Sequence, residues 1–130
     1  MNEKVRTREI RVMHVEDHAG FRALIKNLLD SQSDMEVVAQ AASLGEARDR
    51  AVTSEIDVAV LDLSLPDGNG LDLIPELRRS KPEVGVLILS ANLDPAGPEK
   101  APGSCADEIL DKLAPVEAIL NSVRKLGVRN

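Results

Sequence analysis

Short aliphatic runs alternate along this chain with longer segments in which apolar residues recur every three to four positions. The runs are typical of strands buried on both faces, and the longer segments are typical of helices that cover them. Strands are predicted at residues 10–15, 35–41, 57–63, 84–90 and 107–112. Helices are predicted at residues 19–29, 44–52, 70–80 and 115–127. This alternation predicts an α/β fold with a central five-stranded parallel sheet.

Residues 92–104, between the fourth and fifth strands, interrupt the alternation. A helix would ordinarily lie there, but Pro95, Pro98 and Pro102 lack the backbone donor that a helix interior requires. Gly97 and Gly103 add to the entropic cost of ordering the segment. We therefore expect a mobile loop or a short helical turn, so that helix four is short or missing.

Composition narrows the class of protein. The length of 130 residues suits one domain, and the net charge of −6 argues against a nucleic-acid surface. Cys105 is the only cysteine, which excludes an internal disulfide and favours a reducing compartment. The first residues lack the apolar stretch of a secretory signal, and no run approaches the roughly 20 apolar residues that span a bilayer. We expect a cytoplasmic domain without membrane contact.

Polar side chains stand where four of the predicted strands end. Glu16 and Asp17 follow the first strand, Asp62 lies at the end of the third, Ser90 ends the fourth and Lys112 ends the fifth. In a parallel sheet these ends share one edge, where ligands bind. An ionised carboxylate beside a buried strand is costly unless it is compensated, which makes this edge the candidate site.

Binding of a divalent cation and a phosphoryl group explains this set of residues. Three neighbouring carboxylates repel one another, and a hard cation such as Mg²⁺ relieves that repulsion. Asp62 can then act as a nucleophile towards phosphorus. Ser90 can donate a hydrogen bond to a phosphoryl oxygen, and Lys112 can pair with another. The pattern predicts a phosphoryl-transfer site.

Four segments resemble the receiver domains of response regulators in two-component signalling. They read VEDHAGFRALIKNLL, VLDLSLPDGNGLDLI, LILSA and ILDKLAPVEAILNSVRKL. The first and the last are most similar to receivers of the NarL/FixJ type. The resemblance covers residues 9–127 and implies one receiver domain over residues 1–130. The implied fold is a three-layer flavodoxin-like (βα)5 with strand order 2-1-3-4-5.

The resemblance also implies a role for each site residue. Asp62 matches the phosphoacceptor, while Ser90 and Lys112 match the switch hydroxyl and the site lysine. The implied Mg²⁺ ligands are Glu16, Asp17, Asp62 and the backbone carbonyl of Ser64. Such a domain takes a phosphoryl group from a phosphohistidine of a sensor histidine kinase or a histidine phosphotransfer protein. It is a signalling domain rather than an enzyme, although it assists its own phosphorylation and dephosphorylation. We expect no direct nucleic-acid binding and leave a homodimer open.

Other interpretations of these residues stay open at this point. The fold and acid pocket could serve a phosphorylation-independent interaction module. A phosphatase resembling haloacid dehalogenases would need a second acid where this chain has Ser64. Glu16 and Asp17 could simply favour the start of a helix through its dipole. We interpret His14 as a packed core or interface residue and His18 as structural.

Overall fold

Five parallel strands form the central sheet in the computed structural model, which describes residues 9–91 and 106–128. The strands are β1 (Ile10–Val15), β2 (Met35–Ala41), β3 (Val58–Leu61), β4 (Gly85–Ser90) and β5 (Glu108–Asp111). Their order in the sheet is β2-β1-β3-β4-β5, which confirms the predicted 2-1-3-4-5 topology. A small antiparallel ribbon, Ser64–Leu65 paired with Gly68–Asn69, lies outside the sheet.

Helices cover both faces of this sheet. They are α1 (Ala19–Asp30), α2 (Leu44–Thr53), α3 (Leu73–Ser80) and α4 (Val116–Gly127). Leu44 of α2 and Ile74 of α3 share an apolar cluster with Met13 of β1. Ile25 of α1 shares the other cluster with α4 and with Val12, the neighbour of Met13 in the same strand. Because successive strand residues point to opposite faces, this division produces the predicted three layers.

The element boundaries depart from the sequence pattern by more than one residue at two places. Strand β3 ends at Leu61 rather than at residue 63, because the chain turns into the ribbon directly after Asp62. The predicted helix 70–80 begins as a 3-10 turn, Gly70–Asp72, and becomes α-helical at Leu73. Pro75 therefore falls in the first turn of α3, where backbone donors have no acceptor within the helix, and it is tolerated there.

Two further sequence predictions concern residues 92–104 and the membrane. The loop predicted for residues 92–104, and with it the short or missing helix four, lies outside the described residues. Within residues 9–91 and 106–128, none of the helices combines the length and apolarity that crossing a membrane requires.

Candidate functional site

Three carboxylates meet at the carboxyl edge of the sheet. Glu16 and Asp17 follow β1 and Asp62 follows β3, and these two strands pair directly, with Val15 opposite Leu61. One oxygen from each of the three carboxylates lies within 4.8 Å of the other two. Glu16 and Asp62 are buried, whereas Asp17 is exposed. Solvent therefore reaches the cluster at Asp17.

Lys112 completes the cluster from the far end of the sheet. It follows β5, and its Nζ lies 2.7 Å from Glu16 Oε1 and 3.3 Å from Asp62 Oδ2. Only 16% of its side chain is exposed. Burial alone would lower the pKa of Lys112, but the hydrogen bond that Lys112 donates to Glu16 and the charges of Asp62 and Glu16 outweigh it and raise that pKa. The site thus holds three acids and one protonated lysine.

Local backbone contacts position the Asp62 carboxylate. The amide of Asp62 donates to the carbonyl of Val15 at 3.1 Å, which ties it to β1. The amide of Gly70 donates to the carbonyl of Leu63 at 2.8 Å. A Cβ at Gly70 would lie 2.0 Å from the Asp62 carbonyl oxygen, so only glycine permits this approach. Gly70 is therefore required by the backbone geometry of this turn.

Glu16 is held equally firmly. Its backbone carbonyl accepts a hydrogen bond from Arg22 Nη1 at 2.7 Å, and its Oε2 accepts one from the amide of His18 at 3.1 Å. The Nδ1 atom of His18 in turn accepts from the amide of Phe21 at 3.1 Å and caps α1. His18 is therefore a capping residue, which confirms its structural interpretation.

His14 lies beneath the site, within the sheet. Its side chain is 1% exposed and its ring meets the ring of Phe21 edge-on, with centroids 6.2 Å apart. Burial, followed by the positive charges of Lys112 and Arg22, lowers the pKa of His14 to about 3. His14 is a neutral, packed core residue, as one of the two sequence interpretations proposed.

The two serines occupy different positions relative to the carboxylates. Ser90 is buried at the end of β4, and its carbonyl accepts a hydrogen bond from the amide of Lys112 at 3.1 Å. Ser64 is exposed at the start of the ribbon, two residues after Asp62. The roles assigned to Ser90 as a hydroxyl donor and to Ser64 as a backbone ligand stay predictions.

Sequence reasoning missed three residues that shape this site. Phe21 lies beside Lys112, with the ammonium nitrogen 4.8 Å from the ring centroid. Gly70 lacks the Cβ that would collide with the Asp62 carbonyl oxygen. Asp67 accepts hydrogen bonds from the amides of Leu44 at 2.8 Å and Gly45 at 3.0 Å, which lowers its pKa and links the Asp62 loop to α2. A glycine inside a turn was a usable signal for Gly70, whereas the other two contacts depend on the fold.

The donor set suits a hard divalent cation. Three carboxylate oxygens within 4.8 Å of one another are the type of ligand that Mg²⁺ prefers. Lys112 compensates part of their charge, and the exposed Asp17 leaves a path from solvent. The same edge of the sheet offers a carboxylate nucleophile next to a cationic group. Phosphoryl transfer requires both of these groups.

Comparison with known proteins assigns the family. The family described as response regulator receiver domain matches residues 12–124. The response regulator protein VraR of Staphylococcus aureus is 30% identical over 116 residues, which are 89% of this chain and 56% of that protein. The DNA-binding transcriptional activator DevR/DosR of Mycobacterium tuberculosis is 39% identical over 82 residues, which are 63% of this chain and 38% of that protein. This chain therefore spans about half the length, or less, of these curated relatives.

Solved structures agree with the sequence relatives. The response regulator domain of Thermotoga maritima CheB is 27% identical with a TM-score of 0.81, covering 95% of this chain and 99% of that one. A Burkholderia pseudomallei response regulator, whose structure contains a phosphorylated aspartic acid and a calcium ion, is 26% identical with a TM-score of 0.77, covering 88% of this chain and 66% of that one. From the family match, the fold and these relatives together, the chain belongs to the response regulator receiver domains of two-component systems.

Proposed function

We propose that this receiver accepts a phosphoryl group onto Asp62 from the phosphohistidine of a sensor histidine kinase or a histidine phosphotransfer protein. The observation that carries the proposal is the position of Asp62. Its carboxylate is buried next to β3, shares a 4.8 Å cluster with Glu16 and Asp17, and lies 3.3 Å from Lys112. Two further acids beside a purely structural aspartate would only add charge repulsion.

The protein contributes to phosphoryl transfer mainly by positioning the reacting groups and by stabilising charge. A carboxylate oxygen of Asp62 forms the new bond to phosphorus, while the bond between phosphorus and the histidine nitrogen breaks and its electron pair stays on that nitrogen. Lys112, which now pairs with Asp62, pairs with an oxygen of the transferred group. Ser90 donates its hydroxyl hydrogen to another oxygen. Both contacts stabilise negative charge on the new acyl phosphate.

Glu16, Asp17, Asp62 and the backbone carbonyl of Ser64 would hold Mg²⁺ at this site. When bound, the cation neutralises charge on the transferring phosphoryl group. The three clustered carboxylates support this assignment, because within the described residues Lys112 is the one side-chain cation that forms ion pairs with them.

The output of the domain is a change of state rather than turnover of a substrate. We propose that the side chains of Lys112 and Ser90 move to contact the phosphoryl oxygens when the acyl phosphate forms. The same residues then assist its hydrolysis. Direct binding of nucleic acid by this domain is not expected at a net charge of −6. Its direct partner is then the histidine-bearing protein that supplies the phosphoryl group.

Intact-protein mass after incubation with a small phosphodonor and Mg²⁺ tests the proposal. We expect a gain of one phosphoryl group that base and hydroxylamine remove, as they do from an acyl phosphate. Asp62→Asn should abolish the gain, whereas Asp72→Asn, which changes an exposed acid of the same loop, should retain it. Labelling that survives Asp62→Asn contradicts the mechanism. A folded protein that never gains phosphate would instead favour the phosphorylation-independent module.

A further inference from the structure

We propose that Phe21 is a positioning residue that holds the Lys112 ammonium over the carboxylate cluster through a cation–π contact. The inference deepens the proposed function and rests on it, because the contact matters only if Lys112 serves a phosphoryl group on Asp62. Three features carry it: the geometry of the contact, the way the ring is held and the chemistry of an aromatic face.

The ammonium of Lys112 has carboxylates on one side and a ring on another. Its nitrogen lies 2.7 Å from Glu16 Oε1 and 3.3 Å from Asp62 Oδ2. The same nitrogen lies 4.8 Å from the centroid of the Phe21 ring, inside the roughly 6 Å range of cation–π attraction. A lysine head on a flexible stem is thereby held from two directions.

The ring has little freedom to move away. Phe21 belongs to the first turn of α1, and its amide is bonded to His18 Nδ1 at 3.1 Å. On another side the ring meets His14 at 63° between ring planes, and His14 is itself buried in β1. Within the described part of the chain, no group hydrogen-bonds to His14 Nδ1. His14 therefore acts as a neutral, packed support for the ring.

An aromatic face suits this position for a chemical reason. It attracts the ammonium through its quadrupole yet offers no lone pair, so the N–H donors of Lys112 remain available to oxygen. A third carboxylate or an amide in the same place would compete with the phosphoryl oxygens. An aliphatic residue would fill the same space without the attraction. The contact can therefore keep Lys112 in place while it exchanges a carboxylate oxygen for a phosphoryl oxygen.

Substitution separates attraction from packing. Phe21→Leu keeps an apolar side chain and removes the quadrupole, and we expect phosphorylation by a small phosphodonor to slow by roughly threefold to tenfold. Phe21→Tyr keeps the aromatic face and should restore most of the rate. If Tyr is no better than Leu while both variants remain folded, the aromatic face has no role.

Fluorination provides a stricter test that leaves the shape of the ring nearly unchanged. Phe21 is the only phenylalanine in the chain, so growth on mono-, di- or trifluorophenylalanine labels this position alone. Because each fluorine weakens the negative face of the ring, the logarithm of the phosphorylation rate should fall stepwise with fluorine number. The full series should span roughly the same threefold to tenfold range. A flat series overturns the proposal.

Nuclear magnetic resonance of the unphosphorylated protein makes the outcomes separable. Ring currents should move the terminal methylene protons of Lys112 upfield, and Phe21→Leu should return them towards the positions of the exposed Lys125. If the unsubstituted protein gains no phosphate, the proposed function fails and this shift alone decides whether the contact exists. If it is phosphorylated at Asp62 but the rate ignores fluorine, only the positioning role of Phe21 fails.

Discussion

At the scale of single residues, Glu16 shows how buried charge is compensated at this site. One carboxylate oxygen pairs with Lys112 at 2.7 Å, and the other accepts the amide of His18. Lys112 gains from the arrangement, since its pKa is raised above the ordinary value. A raised pKa means that this ion pair contributes stability fully below the unfolded pKa near 10.5 and loses it as the pH rises through the folded value.

His14 gives the opposite dependence and a prediction. Its pKa is about 3 in the folded protein against 6.5 in an unfolded chain, so unfolding takes up a proton between these values. The free energy of unfolding should fall by about 2 kcal/mol between pH 7 and pH 5 because of this group alone. Urea titrations of the metal-free protein at the two pH values measure the difference.

His14→Leu should remove most of that pH dependence, whereas His18→Ser, which caps the start of α1 with an oxygen in place of the imidazole nitrogen, should retain it. The carboxyl groups with lowered pKa, such as Asp30 and Asp34, influence stability mainly below this range. Equal stability of the parent protein at pH 7 and pH 5 would contradict the assignment of His14 as a buried neutral residue.

The position of a site residue could be predicted from the sequence only where the pattern of strands and helices determined it. Glu16, Asp17, Asp62 and Lys112 could be brought together from sequence because each follows a strand of one parallel sheet. The contact between Phe21 and Lys112 could not, since it depends on how the first turn of α1 approaches the end of β5. No periodicity encodes that distance.

At the scale of elements, the segment that joins β3 to α3 fixes the site through Gly70. Gly70→Ala would place a methyl group 2.0 Å from the Asp62 carbonyl oxygen, a backbone atom that cannot move without moving the carboxylate. We expect the variant to lose about 2 kcal/mol or more of unfolding free energy. Chemical denaturation measures the loss, and phosphorylation should fall in the fraction that remains folded.

Gly45→Ala is the matched control within α2. A Cβ there would meet Asp67 Oδ2 at 3.6 Å, an ordinary contact, and alanine favours the helix. Its stability should be equal to or slightly above that of the parent protein. Equal stability of Gly70→Ala and the parent would show that the Asp62 loop yields more easily than its contacts indicate.

The elements themselves were largely predictable, with errors at their ends. Strand β1 matches its apolar run because Glu9 and Glu16 bound it, and β2 begins where predicted because Asp34 precedes it. The end of β3 was misplaced because Leu63 continues the apolar pattern although the chain has already left the sheet. Long-range hydrogen bonds, such as those that Asp67 accepts from the amides of Leu44 and Gly45 in α2, leave no local pattern in the sequence, so the pairing of the ribbon was not predicted.

At the scale of the whole molecule, metal binding at the acid cluster would raise global stability. A cation that binds the folded chain alone raises the free energy of unfolding by about 1.4 kcal/mol for each tenfold increase in concentration above its dissociation constant. We therefore expect the thermal midpoint to rise as Mg²⁺ is added to the millimolar range. Scanning calorimetry with and without Mg²⁺ measures the shift.

Asp17→Asn should weaken this dependence sharply and Glu16→Gln less so, because Glu16 is already paired with Lys112. Asp72→Asn, outside the cluster, should leave it unchanged. A midpoint that ignores Mg²⁺ in the parent protein would count against a metal site at the three carboxylates.

The placement of the single phenylalanine has a practical consequence for spectroscopy. Because the chain has no tryptophan or tyrosine, the Phe21 ring is its dominant near-ultraviolet chromophore. That ring lies against Lys112 rather than in a remote part of the core. The near-ultraviolet circular dichroism of this protein therefore reports mainly on one location, the surroundings of the lysine at the carboxyl edge of the sheet, without any introduced label.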